Sequence, residues 1–355
     1  MVIPLNWFDN HTFLPVQLIE DGTNTDARFC YLDGETLWGY SGSVLKKSTN
    51  NGTTWSSVYD LTDSIVGIYV TSTGAILCWV QFDDSGTTKT KIMRSTNESD
   101  WSQVYLFDRE CRPLNSITEH PTLGIFYGEY LGASNDYVTV INSTDDGANW
   151  SVVKQWDFYY AGTGNNAGDH VRHVHFVGYD SHEGLIWVAT GDEDSQCRLY
   201  TYDGVDWVLI GSGTQAWRFV SLLFYEDYII MPTDAMAESG AVFVLDRNTR
   251  NVSTLGDRMD SYCLFALKTD SESLIFTESP STRIGLGTNN VYVYSANNET
   301  LKTVTLLEGT GLVPTVNNPY YGNGYLYLSG RGIGTAGWRF IRYRIENPHY
   351  GKFVS

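Results

Sequence analysis

Ser143-Thr144-Asp145-Asp146-Gly147-Ala148-Asn149-Trp150 has the form S-x-D-x-G-x-x-W, and Ser48-Thr49-Asn50-Asn51-Gly52-Thr53-Thr54-Trp55 repeats it with Asn for the first Asp. A weaker copy runs from Ser95 to Trp101, and Tyr202-Asp203-Gly204-Val205-Asp206-Trp207 keeps the turn and the Trp. Asp246-Arg247-Asn248 and Ala296-Asn297-Asn298 hold the same place in two later units. The starts at 48, 95 and 143 lie 47 and 48 residues apart. Such a run suits a tight turn between antiparallel strands. Ser and Asp side chains satisfy turn backbone groups, Gly takes a positive φ, and Trp opens the next strand with a large face for a neighbour. Ser48, Asn50, Gly52, Trp55, Ser143, Asp145, Gly147 and Trp150 are therefore read as architectural.

Around each copy one order recurs: two apolar strands, a third ending at the turn, then a fourth. In the second unit these are 65–70, 75–81, 89–94 and 101–107. Comparable sets begin near Ala27, Leu114, Val171, Phe219, Tyr262 and Pro314, giving about seven units of roughly 45 residues, the length of a four-stranded propeller blade. The fold expected is all-β, a single β-propeller over residues 27–355, with seven blades favoured and six the alternative. Residues 1–26 form an N-terminal segment, in which 13–19 is the candidate to pair with the last blade and close the ring. The 24 Tyr, 15 Phe, 11 Trp and 34 Gly, against 18% charged residues, fit many short strands and tight turns.

The turns resemble those of the sialidase-like Asp-box (BNR repeat) propellers over most of the chain. His173-Val174-His175, Thr190-Gly191-Asp192, Gln215-Ala216-Trp217-Arg218 and Thr233-Asp234 look like the pattern of Asp-box proteins linked to surface polysaccharides. Such membership implies fold more than activity. Sialidases need an Arg triad, a Tyr nucleophile with a Glu partner and an Asp acid/base, and the Arg-Ile-Pro signature of the first arginine is absent here.

A net charge of −18 opposes binding to phosphate backbones, because counterion release needs clustered Lys and Arg. Nucleic acid is thereby excluded as the expected partner. Cys30, Cys78, Cys111, Cys197 and Cys263 lack metal-site spacing and read as small core residues. No apolar run approaches the roughly 18 residues that span a bilayer, and no signal peptide is seen at Met1-Val2-Ile3-Pro4. Membrane insertion is not expected, and the location expected is extracellular or a virion surface. Asn10, Asn51, Asn97, Asn142, Asn149, Asn251 and Asn298 open N-x-S/T sequons.

Loop lengths separate the two faces of such a ring. First-to-second-strand connections are short (Asp33-Gly34, Glu226-Asp227, Gly322-Asn323) and share a face with the S-x-D-x-G turns. The opposite face carries the long loops 108–114, 129–136, 155–172, 191–197, 233–240 and 278–289, where binding and chemistry usually sit. Glu129, Asp192, Asp234 and Glu278 end the second strands of four successive units, so each would point from an equivalent position toward the channel mouth. Arg172, Arg218, Trp217, Tyr130, Tyr159 and Tyr160 lie nearby. His173 and His175, two apart on an innermost strand, share a side with Cβ atoms about 6–7 Å apart.

Three functions follow. In the first, a non-catalytic module recognises a cell-surface or extracellular glycan, or serves host attachment, through Arg172, His173, His175, Trp217, Arg218 and Tyr130. In the second, Glu129, Asp192, Asp234, Glu278 and His175 act in a glycoside hydrolase or polysaccharide lyase, where paired carboxylates serve as acid and base. The third is a structural virion or cell-surface role with virion or homo-oligomeric partner chains. A divalent cation such as Ca2+ is the candidate cofactor of the carboxylate set. The same acids would be equally well used capping turns, and the histidines lining a wet channel.

Overall fold

The computed structural model describes residues 17–131, 136–158, 170–235, 241–255, 262–269, 273–278, 288–295, 300–308, 315–331 and 338–346. They are almost all strand, with two 3-10 turns at Asp194–Gln196 and Gln215–Trp217. Among the described residues seven sheets follow one another along the chain, antiparallel but for the short parallel pair of 157–158 with 170–171. Their innermost strands are Arg28–Asp33, Ser64–Val70, Ile117–His120, His173–Asp180, Leu223–Phe224, Tyr262–Lys268 and Thr315–Gly322. The chain is a β-propeller, with the larger of the two expected numbers of sheets among the described residues.

One cavity of about 440 Å³ fixes the axis of the ring. Cys30, Ile68, Ile117, Val177, Phe224, Ala266 and Tyr320 line it, one from the innermost strand of each sheet. The ring closes on a strand from the opposite end of the chain. Gln17–Asn24 pairs antiparallel with Trp338–Glu346, from Gln17 against Glu346 to Asn24 against Phe340. The expected closing segment 13–19 overlaps this strand at Gln17, Leu18 and Ile19, its residues 13–16 lying outside the described residues, and the pairing runs on through the polar stretch to Asn24, since edge pairing uses backbone groups.

Successive sheets are fastened at the S-x-D-x-G turns. The Ser143 hydroxyl donates to Asp145 at 2.9 Å and accepts from the Gly147 amide at 2.8 Å, while Asp145 accepts the Asn149 amide at 2.8 Å. Ser48 and Asn50 repeat this with the Gly52 and Thr54 amides. Gly52 and Gly147 have φ of +79° and +80°, where L side chains are strained. Each also lies against the preceding sheet: a Cβ on Gly147 would press on Leu77, and one on Gly52 would enter the Phe340 ring. Trp55 meets the same Phe340 edge-on at 5.6 Å, Trp101 meets Tyr59 at 5.8 Å, and Trp207 meets Trp156 at 6.5 Å. The turn thus joins local hydrogen bonding to contact between sheets.

Where the motif has decayed, charge takes its place. At the fifth sheet's turn, Arg247 reaches back to Asp180 of the fourth sheet at 2.6 Å, and Arg250 reaches Glu183 at 2.7 Å. Arg247 and Asp180 are both buried. All five cysteines are buried, packed among the apolar strands.

Gly52→Ala should lower stability by about 3 kcal/mol, combining left-handed strain with overpacking against Phe340. Gly34→Ala, at φ +55° with open space around its Cβ position, should cost about 1 kcal/mol. Urea unfolding midpoints of the two variants measure the difference; equal losses would remove the contact between sheets from the account.

Candidate functional site

The long-loop face is built around Asp192, directly after the second strand of the fourth sheet, Leu185–Gly191. His173 lies opposite Gly191 in the register of that sheet. A register shift between Val174 and Phe176 follows, and both His173 and His175 point at the same carboxylate. His173 Nε2 lies 3.2 Å from one oxygen and His175 Nε2 3.1 Å from the other. Arg172 Nη1 is 3.3 Å from Asp192 and Arg218 Nη2 is 3.1 Å from it. Arg218 reaches on to Asp234 at 2.9 Å, so one guanidinium from the connection between the fourth and fifth sheets joins both acids.

The backbone of Asp192 is held as firmly as its side chain. Its amide donates to Gln196 Oε1 at 3.0 Å, and its carbonyl accepts from Gln215 Nε2 at 2.8 Å. Gly191 is required next to it, because a Cβ there would press on the His175 imidazole. A second device comes from the third sheet, whose short strand Tyr130–Leu131 crosses to the fourth and pairs Tyr130 with His173. The two rings stack with centroids 4.1 Å apart and planes 10° apart. Arg112, opposite Tyr130 in the same crossing sheet, sets its guanidinium 5.9 Å from the phenol ring centre.

Electrostatics follow from this crowding. Burial opposes ionisation of Asp192, but hydrogen bonds from His173 and His175 outweigh it and hold the carboxyl far below the usual carboxylate range. The ion pairs with Arg172 and Arg218 act in the same direction. Burial lowers the His173 pKa from its ordinary 6.5, against the pull of Asp192. The neutral ring donates from Nε2, and its Nδ1, like that of His175, is buried with no partner among the described residues. Tyr130 is pushed up by burial and then by the charges of Asp192 and Asp234.

The remaining candidates fall in different places. Glu129 is fully buried away from this cluster, gripped by Arg109 through Nε at 3.1 Å and Nη2 at 2.9 Å. The Thr139 amide and hydroxyl add 2.7 and 2.8 Å contacts. The predicted equivalence of four carboxylates therefore fails at Glu129: its position matches, but Arg109, stacked 4.0 Å over Tyr137, turns the side chain into its own sheet. Trp217 meets Phe219 edge-on at 5.8 Å and covers Gly211, so its indole is largely a packing group. Glu278 pairs through its backbone with Tyr262 and Asn289, and its side chain lies outside the described residues, as do Tyr159 and Tyr160. Among the described residues no group of three His, Cys, Asp or Glu could hold a metal ion. A cation at Asp192 would have to displace donors from two arginines. Gln196 and Arg112 were not singled out in the sequence. Arg112 has no pattern that marks it, whereas Gln196 sits in the loop after Asp192 where a backbone-binding amide is a natural candidate.

Neither a family model nor a curated protein sequence matches this chain. Among solved structures, the fold is similar to a chain of the mitotic checkpoint complex, with TM-score 0.58 at 9% identity over 97% of this chain and 98% of that one. It is also similar to the GH74 xyloglucanase from Xanthomonas campestris, with TM-score 0.58 at 12% identity over 91% of this chain and 54% of that one. Saccharomyces cerevisiae Sqt1 gives 0.53 at 12% identity over 91% and 86%. The chain thus spans about half of the xyloglucanase, and likeness at these identities shows the fold alone.

Asp192→Asn should leave Arg172, Arg218 and the two imidazoles facing one neutral amide, at a cost of about 2–3 kcal/mol after allowing for partial exposure. Without the anion, the His173 pKa should fall further below 6.5, as read by NMR titration. Since the unfolded chain takes up that proton first, the depressed His173 pKa lowers stability as pH falls below about 6.5. A His173 pKa unchanged in the variant would show that Asp192 does not face it in solution.

Proposed function

We propose that the chain is a carbohydrate-recognising propeller that acts outside a cell or on a virion surface and takes its ligand at the Asp192 end of the ring. The observation that carries this reading is the row of three guanidinium groups, Arg112, Arg172 and Arg218, fixed around the Tyr130–His173 stack in a protein of net charge −18. Arg218 is committed to two carboxylates, but the Arg172 side chain, paired with Asp192, is half exposed. Charge-assisted hydrogen bonds from such a group suit sugar hydroxyls and, more strongly, an acidic sugar. The Tyr130 ring is covered by His173 on one side, so its contribution is the phenol edge and not a free stacking face.

The same geometry favours binding over acid–base chemistry. A general acid must carry a proton near the working pH, and Asp192 stays ionised while Asp234 shares Arg218 with it. Glu129 is spent on Arg109. The Asp-box resemblance of the turns, and the polysaccharide-linked group that the stretches from His173 to Asp234 look like, point to the same ligand class, and the xyloglucanase is a protein of similar fold with a carbohydrate substrate.

A glycan array should show binding to acid-bearing glycans, and Arg172→Ala should weaken it about 10–100-fold, the loss of a charge-assisted hydrogen bond. Absence of any glycan above background, or binding indifferent to Arg172→Ala, overturns the reading. New reducing ends or unsaturated products from polysaccharide, abolished by Asp234→Asn, would replace it with a catalytic one.

A further inference from the structure

Among the described residues, backbone crosses one end of the axial cavity. At the long-loop end the short strands Cys111–Arg112 and Tyr130–Leu131 pair with each other and with His173, laying backbone across the mouth. From there residues 113–115 enter the ring. Pro113 packs against Gly67 of the second sheet, where a Cβ would strike its ring. Asn115, in the left-handed region at φ +52°, accepts the Val177 amide on its carbonyl at 3.0 Å and donates from Nδ2 to the Val220 carbonyl at 3.0 Å. Ser221, beside it, accepts the Ala266 amide at 3.1 Å. One short segment thus ties the second, fourth and fifth sheets across the axis and, through Ser221, reaches the sixth. A non-Gly residue with positive φ persists where its surroundings require it, and here the requirement is to span the axis.

What remains is a blind cup floored by Pro113 and Asn115, of about 440 Å³, within the range of small-molecule sites. Five of the seven innermost strands contribute to its walls from their later halves, through Ile68, Val177, Phe224, Ala266 and Tyr320, which sets it toward the short turns and away from Asp192. Phe176, Tyr179, Phe224, Tyr320 and Tyr321 supply rings from three sheets. No Asp or Glu lines the cup among the described residues, although the protein carries 41 of them. The one charged side chain in the lining is Lys268, whose Nζ sits 4.1 Å from the Tyr225 ring centre and donates to the Phe224 carbonyl at 2.8 Å. That leaves two of its three ammonium donors for another acceptor.

We propose that this cup is a second binding site, independent of the glycan end, and that it takes a small flat apolar molecule carrying one negative charge, such as an aromatic acid. The rings enclose the apolar body, the hydroxyls of Thr118 and Ser221 border it, and Lys268 pairs with the acid at the rim. An anion is chosen over a cation because the lining offers no carboxylate and one ammonium. A peptide is disfavoured because Pro113 and Asn115, tied to the second, fourth and fifth sheets, stand in the way of a passing chain.

The probe is 1-anilinonaphthalene-8-sulfonate, compared with the uncharged N-phenyl-1-naphthylamine, each followed by fluorescence on the full chain at neutral pH. The anionic dye should bind saturably at one site per chain. Ala266→Trp, which fills the cup from the sixth sheet, should weaken it at least 10-fold. Lys268→Gln, at an exposed position, should weaken it about 5-fold and leave the uncharged dye unaffected, so the test stands even if Ala266→Trp fails to fold. No saturable binding, or binding unchanged in a folded Ala266→Trp variant, overturns the cup as a site. Equal loss of both dyes in Lys268→Gln, or no loss of either, overturns its preference for an acid.

Discussion

Everything in this molecule depends on the pairing of its two ends. A propeller sheet buries its faces only against its neighbours, so an open array of such sheets would leave two apolar faces and two strand edges exposed. Gln17–Asn24 supplies the outermost strand of a sheet whose other three strands come from residues 315–346, and that sheet packs against the first one. Phe29, Leu37, Tyr327 and Phe340 form a buried cluster across this seam. Once the seam is made, each innermost strand is forced toward the axis, and the side chains at corresponding ends are gathered at two small openings.

Those openings have opposite characters because of what crosses them. The connection from the second to the third sheet, and the short strand after Gly128, lie over one end and bring Tyr130 and Arg112 to the histidines of the fourth sheet. The result is polar, tightly hydrogen-bonded and rich in guanidinium. The same connection stoppers the axis with Asn115, so the other end is left as an aromatic cup with a single ammonium. The ring thus has two chemically different ends, each fixed by backbone that is anchored on several sheets.

The parts of this arrangement that could be read from the sequence are those written in local chemistry. Ser143, Asp145 and Gly147 satisfy one another within five residues, so their spacing announces the turn and its repetition announces the ring. His173 and His175 lie two apart on one strand, and the structure brings both to Asp192, although His175 is the extra residue of a register shift and not part of a regular alternation. What was not legible depends on partners distant in sequence. Glu129 occupies the same strand position as Asp192, yet Arg109, twenty residues earlier, decides where it points. The role of Asn115 rests on Val220, more than a hundred residues away, and its segment has no apolar periodicity to betray it. The extension of the closing strand to Asn24 was not legible, because that pairing is carried by backbone amides and not by its side chains.

Closure is therefore the claim to test most directly, and amide hydrogen exchange on the full chain does so. If Gln17–Asn24 completes the ring, its ladder amides exchange as slowly as those of Trp338–Glu346 and only through global opening, with the same free energy for both strands. Exchange of the 17–24 amides within seconds, while 338–346 stays protected, would mean that the ring is not closed by this strand, and the convergence of both sites would lose its cause.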